Sequence, residues 1–187
     1  MDRIHVSTVV CLPPEDVYEF LVDFPRYARY SQYLTDVTAD GDGSPGTRYR
    51  LRFAWWKLSY SVHTEVTAVD PPSSLDWRVV KDIDARGGWR VEPLDSVPAD
   101  LPTASPSDSD SDTTTDDACR VHLEVAFDPD SVGGVDLPRF VSLEWVVGKV
   151  KPLLVEEAEH VVERIVADIE GRPREVELVV HEAPGGL

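Results

Sequence analysis

The 187-residue chain predicts an α+β fold, a curved antiparallel sheet wrapped around a long C-terminal helix. Three observations carry this. From Thr35 to Phe127, apolar residues alternate with polar ones in short runs separated by turns, the pattern of consecutive antiparallel strands. From Leu137 to Gly171 the period changes: Leu143, Val147, Val150, Leu154, Ala158, Val161, Ile165 and Ile169 recur at steps of three and four and draw one apolar stripe along a helix. Between the first strand and the sheet lie two short helical patterns. Helices gathered on a single face of an antiparallel sheet make an α+β sandwich.

In the first strand, Ile4, Val6, Thr8 and Val10 alternate with His5 and Ser7. Pro13 and Pro14 open a helix whose first turn carries Glu15 and Asp16, where the macrodipole favours carboxylates. Val17, Phe20, Leu21 and Phe24 form its buried face, and Pro25 stops it. Arg26 to Leu34 reads as a second short helix with Tyr27, Tyr30 and Tyr33 on one side. Thr35–Asp40 is a strand, and Gly41–Gly46 a turn. Tyr49, Leu51 and Phe53 then alternate with Arg48, Arg50 and Arg52, and Leu58–Val69 continues to the turn at Asp70, Pro71 and Pro72. Two further strands centre on Trp77 and on Trp89 with Val91.

The stretch 95–117 interrupts the meander. It is built almost exclusively of Ser, Thr, Pro and Asp, with seven aspartates and neither lysine nor arginine. Such a composition cannot bury enough surface to offset chain entropy, so a disordered acidic loop insertion is expected. Cys119, Val121, Leu123, Val125 and Phe127 form the last strand of the meander, alternating with Arg120, His122 and Glu124. Asp136 and Pro138 suit the start of the long helix, and Gly171 with Pro173 closes it. Its other side carries Glu156, Glu157, Glu159, Glu163 and Glu170, and Pro152 is expected to kink it. Residues 1–171 thus read as one domain, followed by a 172–187 tail in which Val176, Leu178 and Val180 suit a short strand.

The net charge of -17 argues against direct binding to nucleic acid or to an anionic membrane. Aspartate outnumbers glutamate, and the only lysines are Lys57, Lys81, Lys149 and Lys151. This composition resembles the proteome of a salt-in halophile, where the charge reports the solvent rather than the ligand. Met1–Val10 has no basic start followed by an apolar core, so a cytoplasmic protein is expected, with peripheral membrane contact at most. Two cysteines, Cys11 and Cys119, make neither a disulfide framework nor a metal site. The five histidines are dispersed along the chain. No serine elbow, phosphate loop or zinc motif is present, so neither cofactor nor metal is expected.

The segment from Pro14 through Val17, Tyr18, Phe20, Leu21, Asp23, Phe24, Pro25 and Tyr27 resembles the opening of the START-like (SRPBCC) superfamily, which includes polyketide cyclases and coenzyme-Q-binding proteins. The order of elements over Arg3–Gly171 is similar to that superfamily's helix-grip fold. The resemblance implies a hydrophobic ligand, such as a lipid, an isoprenoid quinone or a polyketide, held between the sheet and the last helix. It also implies that the first strand pairs with the last strand of the meander, bringing Cys11 and Cys119 close together.

Large apolar residues with a few polar atoms are the usual lining of such a cavity. The candidates are Tyr30, Tyr33, Phe53, Trp77, Trp89, Phe140, Trp145 and Leu154. Trp55 and Trp56, at the tip of a hairpin, are candidates for the cavity mouth. Arg48, Arg50 and Arg52 share a face that suits either an anionic headgroup or, more simply, an outer sheet surface with acidic neighbours. Catalysis would need an ionisable group facing the cavity; Glu144 and Glu157 flank the helix stripe, but no catalytic residue is assigned. The expectation is a carrier or sensor, monomeric or weakly dimeric. A cyclase- or dehydratase-like enzyme and a protein-interaction module are the alternatives.

Overall fold

The structure, a computed structural model, describes residues 1–55, 58–98, 117–131 and 158–183. Strand β1 (Asp2–Val10) is followed by helix α1 (Pro14–Val22) and a 3-10 helix (Phe24–Arg29). Six strands succeed one another: β2 (Leu34–Asp40), β3 (Arg48–Trp55), β4 (Leu58–Asp70), β5 (Ser74–Val79), β6 (Ala85–Leu94) and β7 (Ala118–Phe127). A short 3-10 turn (Pro129–Ser131), helix α2 (158–169) and strand β8 (Val179–Glu182) complete the described chain. The strands form one sheet in the order β2-β3-β4-β5-β6-β7-β1-β8. Each neighbour pair is antiparallel, so the meander runs from β2 to β7 and β1 closes onto it.

Alternation divides the strands into two faces. One face carries Val10, Cys119, Val121 and Val91, which form a core with Val17, Phe20 and Leu21 of α1, Tyr30, and Val166 of α2. A second cluster, around Tyr18, Phe24, Leu34, Val37, Tyr49, Val66 and Leu75, fills the β2–β5 half. Phe20, Tyr27, Phe24 and Tyr49 stack as a chain of rings through both clusters. This is the inner face, because the helices pack on it.

Two expectations are corrected in detail, and a third is covered only in part by the described residues. The second short helix is a six-residue 3-10 segment over Phe24–Arg29 rather than a helix over Arg26–Leu34. Pro25 stands in its first turn, and it ends with Tyr30 N–H donating to Tyr27 O, an i→i+3 bond. Of the long helix expected over Leu137–Gly171, 158–169 is helical, while 132–157, with Pro152, lies outside the described residues. Glu170, assigned to the solvent side of that helix, instead has a buried side chain. Glu170 N–H still donates to Val166 O at 2.9 Å, so Glu170 stands one turn beyond the buried Val166, on the packed side of the helix, before Gly171 turns left-handed at φ 71°.

Glu170 meets Arg174 in a two-pronged ion pair at 2.7 and 2.8 Å, with side chains 2% and 4% exposed. Its Oε1 also accepts from Cys11 N–H at 2.8 Å, and Arg174 Nη2 donates to Val9 O at 2.7 Å. The pair therefore fastens the end of α2 to the end of β1. On the other side of α2, Asp168 accepts from the Tyr30 hydroxyl and from Arg26 Nη2, the latter at 2.7 Å. Arg164 donates to Tyr30 O at 2.7 Å. These contacts seat the C-terminal helix on the 3-10 segment. No described helix is long and apolar enough to cross a membrane.

Candidate functional site

Among the described residues, one end of the inner face is buried and the other only partly so. Next to α1 and α2, Val10, Cys119, Val121 and Val91 are buried. Further along the same strands, Ile4, Val6, Leu123 and Val125 are only partly covered, as are Trp89, Trp77, Val62, Tyr60, Leu51 and Phe53. Register places them together: Val6 faces Leu123, Leu123 faces Trp89, Trp77 faces Gly87, and Phe53 faces Tyr60. Leaving so much apolar surface partly uncovered is unfavourable by roughly 25 cal/mol per Å², and a hydrophobic occupant would relieve it.

Two tryptophans frame this surface. Trp89 bridges the two core clusters. Trp77 lies across Gly87, where a side chain would collide with its ring. At the far side, the Tyr60 hydroxyl donates to Asp82 Oδ2 at 3.1 Å; burial, with the nearby carboxylate, pushes its pKa up to about 12. Thr64 Oγ1, also on the inner phase, is buried without a hydrogen-bond partner among the described residues. Apart from Asp2 at the start of β1, the inward strand positions carry no carboxylate, histidine, lysine or arginine among the described residues.

Of the residues expected to line a cavity, Phe53, Trp77 and Trp89 come together on this face. Tyr33 stands beside them at the edge, where its carbonyl accepts from Ala54 N–H at 2.8 Å. Tyr30 is 6% exposed and its hydroxyl is engaged by Asp168, which makes it a fastener between helices. Trp55 ends β3, and its side chain is not among those described. Trp56, Phe140, Trp145 and Leu154, with Glu144 and Glu157, lie outside the described residues.

The outer face is polar. Arg48 and Arg78 both reach Glu65, at 3.2 and 3.0 Å, and Arg90 reaches Asp76 at 2.7 Å. An open groove of about 590 Å³ on this face is lined by charged groups that include Arg3, Arg86, Arg90, Glu124 and Glu182, a poor host for an oily molecule. The histidines are not dispersed in space as they are in sequence. His5, His122 and His181 converge here, and burial holds His122 below its usual pKa. Cys11 and Cys119 are free thiols, and Cys11 stands close enough to help raise the Cys119 pKa.

Residues 1–166 match the family described as polyketide cyclase / dehydrase and lipid transport. Among solved structures, TTHA0849 from Thermus thermophilus superposes with a TM-score of 0.58 at 16% identity, over 90% of this chain and 97% of that one. The Zhui aromatase/cyclase from Streptomyces sp. R1128 gives 0.60 at 14% identity, over 90% and 93%. StfQ, a di-domain ARO/CYC from the steffimycin biosynthetic pathway, gives 0.53 at 9%, over 89% of this chain and 49% of that one. At these identities the likeness is one of fold, in agreement with the helix-grip architecture expected from element order. No curated protein sequence matches the chain.

Proposed function

The chain belongs to the polyketide cyclase / dehydrase and lipid transport family, and from that premise we propose that it binds a hydrophobic small molecule on the inner face of its sheet, as a carrier or sensor. Phe53, Trp77 and Trp89 are the anchoring side chains, and Tyr33 lies at the rim. Phe140, Trp145 and Leu154 complete the lining in this proposal, with Trp55 and Trp56 at the mouth. The observation that carries it is the partly uncovered apolar half of the inner face, continuous from Val125 through Trp89 and Trp77 to Phe53. An elongated or polycyclic apolar ligand, such as an isoprenoid quinone or an aromatic polyketide, matches a surface of this chemistry.

Binding without turnover is favoured because a cyclase or dehydratase needs a group that gives and takes protons near neutral pH. Apart from Asp2 at the start of β1, beside Phe127, the described inward strand positions offer only hydroxyls and a thiol. Tyr60, pushed up to about 12 and tied to Asp82, is a poor base at pH 7.

Native mass spectrometry of the protein purified from its own host tests this. The expected result is a co-purifying apolar molecule, lost in a Trp77→Ala, Trp89→Ala double variant that still folds. Titration with an isoprenoid quinone should quench tryptophan fluorescence saturably. A ligand-free spectrum together with no saturable quenching would overturn the proposal.

A further inference from the structure

Three histidines far apart in sequence meet on the outer face, opposite the surface proposed for the apolar ligand. His5 stands on β1, His122 on β7 and His181 on β8, and one ring nitrogen from each lies within 4.8 Å of the others. His5 Nε2 and His122 Nδ1 are 2.9 Å apart, and the His5 and His181 rings stack with centroids 4.4 Å apart. The third histidine arrives through an irregularity in the ladder. His5 pairs with Glu182 and Val6 with Val180, so His181 is the extra residue of a bulge. Bulges re-aim side chains in this way. Ser7, 2% exposed, fixes the His181 ring through an Oγ–Nε2 hydrogen bond of 2.8 Å.

We infer that His5, His122 and His181 form a binding site for one divalent first-row transition metal ion, with zinc the best-suited ion, and that the metal clasps β8 to the sheet. Imidazole nitrogen is a preferred donor for zinc, and three protein ligands with an open fourth position make a familiar coordination set. Zinc–nitrogen bonds of about 2.0–2.1 Å put tetrahedral ligand nitrogens roughly 3.3 Å apart. The 2.9 Å pair is already close to that spacing, and His181, exposed on an edge strand, can make the remaining adjustment.

The surroundings of His122 point the same way. Its Nδ1 faces His5, while its Nε2 is buried and makes no hydrogen bond among the described residues. Glu92 Oε2 stands 3.6 Å from that Nε2, just beyond hydrogen-bond reach. A metal on Nδ1 would fix Nε2 as the N–H donor aimed at Glu92, the carboxylate–histidine–metal arrangement that orients such ligands. The site also makes sense of β8, a four-residue edge strand with three exposed residues. A short edge strand has few backbone bonds to hold it, and a metal bridging three strands would supply the missing restraint.

The test is calorimetric titration of the chelator-treated full chain with zinc chloride, with circular dichroism to confirm folding. One zinc per chain is expected, with a higher melting temperature when zinc is bound. His122→Ala and His181→Ala should each weaken binding at least about 100-fold, whereas His63→Ala should not. His181 is exposed, so its variant keeps the test decisive if His122→Ala fails to fold. Cobalt(II) in place of zinc should give the visible absorption of a tetrahedral site. Absence of saturable zinc binding would overturn the inference. So would unchanged affinity in His181→Ala, or an equal loss in His63→Ala.

Discussion

Trp77 lies directly over Gly87: a Cβ at residue 87 would stand 2.4 Å from Cζ2 of the indole and 2.7 Å from Glu124 O. Trp77 keeps its place on the inner face because its cross-strand partner has no side chain. Gly87→Ala should therefore destabilise the protein by about 1–3 kcal/mol through overpacking. It should also lower affinity for an apolar probe by displacing the indole. Urea unfolding and fluorescence titration measure the two effects, and an unchanged midpoint would contradict this geometry.

The Glu170–Arg174 pair gives a prediction with two arms. Removing Arg174 alone, as Arg174→Met, leaves a carboxylate buried beside Cys11 N–H, and should cost about 3–5 kcal/mol. The double change Glu170→Gln, Arg174→Met should cost clearly less than Arg174→Met alone, because no uncompensated charge remains. Denaturant midpoints for the three proteins decide it.

Asp168 makes stability depend on pH in a definite direction. The Tyr30 hydroxyl and Arg26 guanidinium hold its carboxyl below the ordinary value of 3.8. A depressed folded-state pKa contributes stability that is complete above the unfolded value and is lost as pH falls through the folded one. The melting-temperature gap between the wild type and Asp168→Asn should thus be full at pH 6 and close only below about pH 4. A gap that closed between pH 5 and 7 would assign the effect to another group.

Both thiols should be unreactive in the folded protein. Burial, with Cys11 and Glu170 nearby, pushes Cys119 up to about 12, and burial likewise raises Cys11. At pH 8 a thiol of pKa 12 is ionised in on the order of one molecule in ten thousand. Iodoacetamide at pH 8 should label Cys119 in urea but scarcely at all without it. Mass spectrometry of the two samples reads the difference.

Much of this architecture is legible in the order of residues. Strict alternation in Cys119–Phe127 and in Arg48–Phe53 defines both strands and their faces, so Phe53 sorts to the inner side without coordinates, while alternation around Trp77 is less clean. Arg48, read as an outer-face residue with acidic neighbours, does pair with Glu65. Glu170 reads as solvent-facing because it is charged, whereas it stands one turn beyond the buried Val166 and is accommodated there by Arg174, a partner that helical periodicity does not reveal. The histidine cluster escaped for a related reason. His5 and His122 have the same outward phase on strands expected to pair, so their proximity follows from register. His181 depends on a one-residue bulge, which no alternation pattern foretells.

Leu94 and Ala118 face each other across the β6–β7 ladder, so the chain leaves the sheet and returns to it at one spot. Any excursion between them hangs from a single doorway, and doubling its length costs only about 0.6 kcal/mol. That doorway is a splice point: a fluorescent reporter or an affinity handle grafted there would leave every strand pairing, and both faces, as they are.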